Sequence, residues 1–141
     1  MRQLNVALGI ICRGNNYLLQ LRRSDPAIGA AGRIGAFGGK VESRETAAEA
    51  VCRELSEETT LTPLAENLKY IGELDVISDH QLEEVSVHAT VYCLEVDAST
   101  KVHAKEGELM TMSRAEALEQ IDRLTPATRV CFEQLILEKE Q

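Results

Sequence analysis

The segment Gly38–Leu61, GGKVESRETAAEAVCRELSEETTL, constrains this chain more than any other, because it sets three glutamates where a helix gains nothing from them. Placed on a helix from Thr46 onward at about 100° per residue, Glu54, Glu57 and Glu58 share an arc of about 100°. Ala48, Val51, Cys52 and Leu55 occupy the neighbouring sector, so the spacing predicts one side packed into the core and an adjoining side presenting acids. Like charges at i, i+4 cost roughly 0.2–0.5 kcal/mol each, and carboxylates near a helix C-terminus also oppose its dipole. A hard divalent cation relieves that repulsion, since magnesium and calcium prefer carboxylate oxygens and accept several around one ion. The plain alternative is a solvated acidic face. Against it stand Gly38 and Gly39, which let backbone approach a ligand closely, and Arg53, placed to orient Glu54 by a charge-assisted hydrogen bond.

The rest of the chain supplies a frame for this helix. Residues 3–12 and 16–22 read as two strands joined by a hairpin at Gly14-Asn15-Asn16. Ser24–Lys40 is glycine-rich without periodicity and reads as an irregular loop. Residues 46–59 form the acidic helix, ended by Thr62-Pro63. Stretches 68–77 and 84–95 read as further strands around a polar turn near Asp79-His80, the second alternating well in EVSVHATVYCLEV. Ser113 with Glu116 makes a capping box for a short helix, and a last helix runs from about Ala127 to Glu138 with Val130, Cys131, Leu135 and Leu137 for its buried side. This order of elements predicts one mixed α/β domain spanning residues 1–141.

The formal charge of −8 argues against a nucleic-acid polymer as partner. A small nucleotide stays admissible, because an acidic site loaded with magnesium is no longer acidic. Cys12, Cys52, Cys93 and Cys131 are about forty residues apart, without CxxC or ligand-spaced histidine, which reads as buried free thiols rather than a disulfide framework or zinc site. No stretch approaches the roughly 20 apolar residues of a membrane helix, so no membrane and a reducing cytoplasmic location are the expectation.

The segment around the glutamates resembles the Nudix box, in which Gly, five residues, Glu, seven residues and Arg-Glu-apolar-x-Glu-Glu-x-Gly-apolar follow one another. Gly39, Glu45, Arg53, Glu54, Leu55, Glu57, Glu58 and Leu61 fall in register over about residues 39–61. Thr60 replaces the box glycine, which predicts an altered helix end, and Phe37 stands where many members have proline. The resemblance implies a Nudix-type α/β/α sandwich with a mixed sheet, and a hydrolase cutting a nucleoside diphosphate linked to another group. It implies Mg2+ or Mn2+ held by Glu54, Glu57, Glu58 and the carbonyl of Gly38, with Arg53 orienting a glutamate and Glu45 behind it.

Outside the box the likeness is thinner and points to the MutT-type branch, which cleanses oxidised nucleoside triphosphates. Lys105-Glu106-Gly107 resembles that branch's Lys-Glu-Gly and makes Glu106 the candidate base or extra ligand. Gly39 and Lys40 are candidate phosphate contacts, as is one of Arg22 and Arg23, with Arg23 preferred. Thr128 stands near where the branch reads the oxidised purine with asparagine, which sets 8-oxo-guanine specificity in question. An ADP-sugar or dinucleoside polyphosphate hydrolase is the alternative enzyme reading. A non-catalytic nucleotide sensor is the alternative of another class, disfavoured because all three glutamates are kept. A homodimer is the assembly that the family suggests.

Overall fold

The computed structural model describes residues 1–22, 32–80 and 83–136. Strand β1, Arg2–Arg13, is the axis of the sheet. One edge pairs in parallel with β6, Glu83–Glu95, over eleven residue pairs from Arg2↔Val85 to Cys12↔Glu95. The other edge is divided. Its C-terminal end takes β2, Asn16–Leu21, through a tight hairpin in which Gly14 has φ +58°, a left-handed conformation that glycine adopts without strain. Its middle takes β4, Phe37–Lys40, in the register Val6↔Lys40 to Gly9↔Phe37.

The remaining strands complete a seven-stranded mixed sheet. β3, Ile34–Gly35, lies on β2; β5, Leu68–His80, lies on β6; and β7, Glu108–Ser113, lies along β2. β3, β4 and β7 depart from the sequence expectation. The stretch read as loop up to Lys40 ends in strands because β1 and β2 offer it unpaired backbone, a long-range effect that local glycine content hides.

Both faces of β1 are covered, which explains its near-continuous apolar run. Ala7 and Ile11 join one cluster with Ala50, Val51 and Leu55 of α1, Ala47–Glu58. Leu8 and Ile10 join the other with Ala117 of α2, Arg114–Glu119, Cys131 of α3, Pro126–Cys131, and Phe132 of the π-helical turn Phe132–Ile136 that follows α3. Helices on both faces of a mixed sheet make the expected α/β/α layering. Gly9 sits where a side chain would meet Val51 at 2.9 Å, so α1 lies directly on β1.

Caps fix where the helices begin. Thr46 and Glu49 form a reciprocal capping box at the start of α1, and Ser113 and Glu116 form the expected one at α2. Pro126 opens α3 one residue before the expected start, its missing N–H costing nothing at a helix N-terminus. Strand β5 continues through Asp79-His80, where the sequence predicts a polar turn, and residues 81–82, Leu137, Glu138 and Arg23 lie outside the described residues. Among the described residues no helix is long and apolar enough to cross a membrane.

Candidate active site

Helix α1 is short and would not hold alone in water; Val51 and Leu55, both fully buried, press it onto β1. That docking decides which way the glutamates point. Ala50 and Val51 flank the sector of Glu54 and Glu58, so the acid arc overlaps the buried stripe instead of lying beside it. Glu58 is 7% exposed, so one of the three acids expected on the adjoining side is drawn into the core.

Glu58 Oε1 accepts a hydrogen bond of 3.1 Å from the N–H of Gly38 on β4. Burial pushes its carboxyl up to about 8, and the charge and hydrogen bond of the adjoining Glu54 carboxylate push the same way, against the Gly38 N–H and the Arg22 charge. Glu58 therefore keeps its proton near neutral pH, beside the Glu54 side chain. Glu54 also lies against Gly39, where an added Cβ would come within 2.5 Å of Oε1 and 2.8 Å of Cδ.

Arg53 ties the loop to the helix. Its Nε and Nη2 donate to the two oxygens of Glu45 at 2.8 and 3.0 Å, Nη2 donates to the Lys40 carbonyl at 3.0 Å, and Nη1 donates to Glu54 at 3.0 Å. Glu45 also accepts from the Glu42 N–H, and the Arg53 bond brings its carboxyl down to about 2 with help from that N–H. Glu57 reaches Arg53 at 3.5 Å, and its side chain is 58% exposed. One guanidinium thus holds the loop after β4, the box glutamate Glu45 and Glu54 in one frame.

The C-terminal end of α1 answers the question posed by Thr60. The helix closes on an extended residue, Thr59 with φ −135°, whose hydroxyl bonds Leu55 O at 2.6 Å. Thr60 then pairs with His103 through N–H to carbonyl and hydroxyl to N–H bonds of 3.0 Å. A left-handed glycine has no role in such an ending. The same pairing pins the turn that carries Glu106, since Lys105 N donates to Glu58 O at 2.7 Å and Lys105 Nζ donates to Ser56 O at 3.1 Å. Glu106 itself is exposed on that turn, beside the end of α1.

A cavity of about 330 Å3 opens beside the glycines. Leu4, Val6, Leu8, Val85 and Val87 form an apolar floor; Gly38, Gly39, Lys40 and Arg22 stand on one flank and Thr125–Thr128 on another. Of the two candidate arginines, Arg23 lies outside the described residues and Arg22, the less favoured, lines the cavity. Its Nε is buried without a hydrogen-bond partner among the described residues, and its charge is felt at Glu58. Thr128, 1% exposed, already accepts from the Ala36 N–H at 2.9 Å and the Thr125 hydroxyl at 2.8 Å.

Among the described residues no three His, Cys, Asp or Glu side chains converge as a finished metal cage. The donor set nevertheless fits a hard divalent ion. Glu54 and Glu58 lie side by side, Glu58 carries a proton that a cation would displace, Glu57 lies one turn away, and glycine backbone replaces any side chain that would fill the space. Gly39→Ala is expected to leave the unfolding midpoint nearly unchanged, because only the mobile end of Glu54 must move, while activity falls at least about tenfold from the displaced carboxylate. Equal activity in that variant would mean that the position of Glu54 does not matter.

Comparison with known proteins converges on one family. The NUDIX domain model matches residues 1–135. The 8-oxo-dGTP diphosphatase of Escherichia coli (strain K12) is 42% identical over 74 residues, a stretch covering 50% of this chain and 57% of that protein. Among solved structures, a MutT NUDIX hydrolase from Burkholderia pseudomallei is 27% identical with a TM-score of 0.70, over 95% of this chain and 98% of that one. A MutT protein from Methanosarcina mazei Go1, at 24% identity, shares the fold with a TM-score of 0.76 over 99% and 97% of the two chains.

Proposed function

Since the chain belongs to the NUDIX domain family, we propose that it is a divalent-metal-dependent pyrophosphohydrolase that converts a nucleoside triphosphate, modified or unmodified, to the monophosphate and pyrophosphate. The observation that carries this reading is a shared pair of glycines. Gly38 and Gly39 line the cavity, and the same residues touch Glu58 and Glu54. A ligand on the apolar floor thus has its phosphates led to the carboxylates. The similarity to an 8-oxo-dGTP diphosphatase favours a triphosphate over a sugar nucleotide.

Glu54, Glu57, Glu58 and the Gly38 carbonyl would hold Mg2+ or Mn2+, which when bound neutralises phosphate oxygens and acidifies the attacking water. Arg53, fixed by Glu45, keeps Glu54 in place without touching substrate. Arg22 and Lys40 offer cationic donors to the phosphates from the cavity flank, and Arg23 is a further candidate by sequence. Glu106, on the turn pinned to α1, is the candidate to take the proton of the water. Thr125 and Thr128 border the space left for the base. Two acceptor sites on Thr128 are engaged, so its hydroxyl favours a base that presents an acceptor.

The test is a panel of canonical and oxidised nucleoside triphosphates, sugar nucleotides and dinucleoside polyphosphates, with Mg2+ and with Mn2+. Pyrophosphate release from a triphosphate is expected; cleavage of sugar nucleotides alone would overturn the substrate class, and no cleavage at all would overturn the enzyme. Glu57→Gln is expected to lower turnover by about two orders of magnitude or more at a nearly unchanged unfolding midpoint, since the Glu57 side chain is mostly exposed and makes only a long contact with Arg53. Retained turnover would remove it from the ligand set.

A further inference from the structure

The face of the sheet that floors the cavity carries a second hollow at its other end, of about 210 Å3, lined by Cys12, Tyr17, Lys69, Tyr70, Cys93 and Leu135 among others. Cys12 and Cys93 sit on the paired strands β1 and β6, one step out of register along the same face, since Ile10 is the partner of Cys93 and Cys12 of Glu95. Their sulfurs are 2.9 Å apart although 81 residues separate them in sequence. Neither sulfur is in a disulfide; Cys93 is buried and Cys12 partly exposed.

We propose that Cys12 and Cys93 form a reversible oxidation site, a dithiol that a peroxide entering this hollow converts to an intramolecular disulfide. The site is independent of the phosphate chemistry proposed above. In the first step the Cys93 thiolate attacks one peroxide oxygen, the O–O bond breaks, and the departing hydroxide takes up the proton released by Cys93. Cys93 becomes a sulfenic acid. In the second step the sulfur of Cys12 attacks the sulfenic sulfur and expels hydroxide, which leaves as water with the Cys12 proton. Two thiols have then lost two electrons and two protons, and one hydrogen peroxide has become two waters.

The surroundings separate this pair from the other two cysteines. The hydrogen bond from Cys12 holds the Cys93 thiol below its ordinary range, and Lys69 acts in the same direction against burial and Glu95. Burial pushes Cys131 up to about 12, which leaves it a poor nucleophile, and Cys52 on α1 is raised by burial and by Glu49. Geometry assigns the resolving thiol as well, because only Cys12 lies in sulfur contact with Cys93 among the described residues. A side-by-side placement on neighbouring strands lets the bond close without moving either strand far.

The full-length protein, treated with a few equivalents of hydrogen peroxide and then alkylated under denaturing conditions, is expected to lose two of its four thiols and regain them with dithiothreitol. Peptide mapping of the treated parent should join the peptides containing Cys12 and Cys93, a readout that needs no variant. Cys12→Ser should abolish the cross-link and let Cys93 trap a dimedone label as sulfenic acid. A cross-link through Cys52 or Cys131, or four thiols surviving the treatment, would overturn the proposal, as would unchanged intramolecular oxidation in Cys12→Ser.

Discussion

Glu58→Gln is expected to lower turnover by about two orders of magnitude or more and, in the same molecule, to make the metal-free protein harder to unfold at alkaline pH. The two effects share one cause. Glu58 is nearly out of water and faces Glu54, so its carboxyl keeps its proton up to about pH 8 in the fold. In the unfolded chain it loses that proton at its ordinary value near 4.5. Between those values the folded protein binds more protons than the unfolded one, so this group's contribution to stability is full below 4.5 and is lost as pH rises through 8. Glutamine keeps an acceptor for the Gly38 N–H and has nothing to ionise. The gap between the unfolding midpoints of variant and parent should therefore widen from pH 5 to pH 9 without metal, and narrow when saturating Mg2+ replaces the proton in the parent. Thermal unfolding at several pH values, with and without Mg2+, measures this. Parallel midpoints across the range would show that Glu58 ionises without penalty.

Gly38→Ala is expected to destabilise the fold by about 3 kcal/mol or more, in contrast to the nearly silent effect on stability at Gly39. Gly38 has φ +142°, outside the range that a residue with a Cβ adopts, and a methyl there would overlap the carbonyl oxygen of Ala7 on β1. Backbone of a central strand cannot step aside as a carboxylate can. Chemical denaturation of the two alanine variants beside the parent measures the contrast. Near-parental stability of Gly38→Ala would mean that β4 is not held against β1 in this register.

Legibility in the sequence followed the range of the interactions. The hairpin at Gly14, the capping box at Ser113 and the strands β5 and β6 are written in neighbouring residues, and each stands within a few positions of its expected place. β3 and β4 could not be read from IGAFGGK because their pairing is dictated by distant edges of β1 and β2. β7, in ELMTMS, shows little contrast between buried and exposed positions, and its neighbourhood has no local signal beyond the acid at Glu106. At the site, box spacing singles out Arg53, Glu45 and the three glutamates, and the structure links Arg53 to Glu45, Glu54 and Glu57. Helical geometry alone put the acids beside the buried stripe, whereas docking on β1 turned Glu58 inward. That Arg22 meets the cavity depends on the packing of β2 beside β4, and the contact of Cys12 with Cys93 spans 81 residues; neither has a local signature.

The divided edge of β1 also bears on how the molecule comes into being. β4 can supply its glycines only to a β1 that is already placed, and eleven of the pairs that place β1 come from β6, about eighty residues later in the chain. Pairing of that separation pays the entropy of closing a long loop before it gains any contact, which is the slow route to a native topology. On a ribosome, α1 with its glutamates is made well before the strand that fixes its platform. The buried carboxyl of Glu58 is thus among the last features to be assembled, and the acidic helix spends the early life of the chain in water, where its charges cost least.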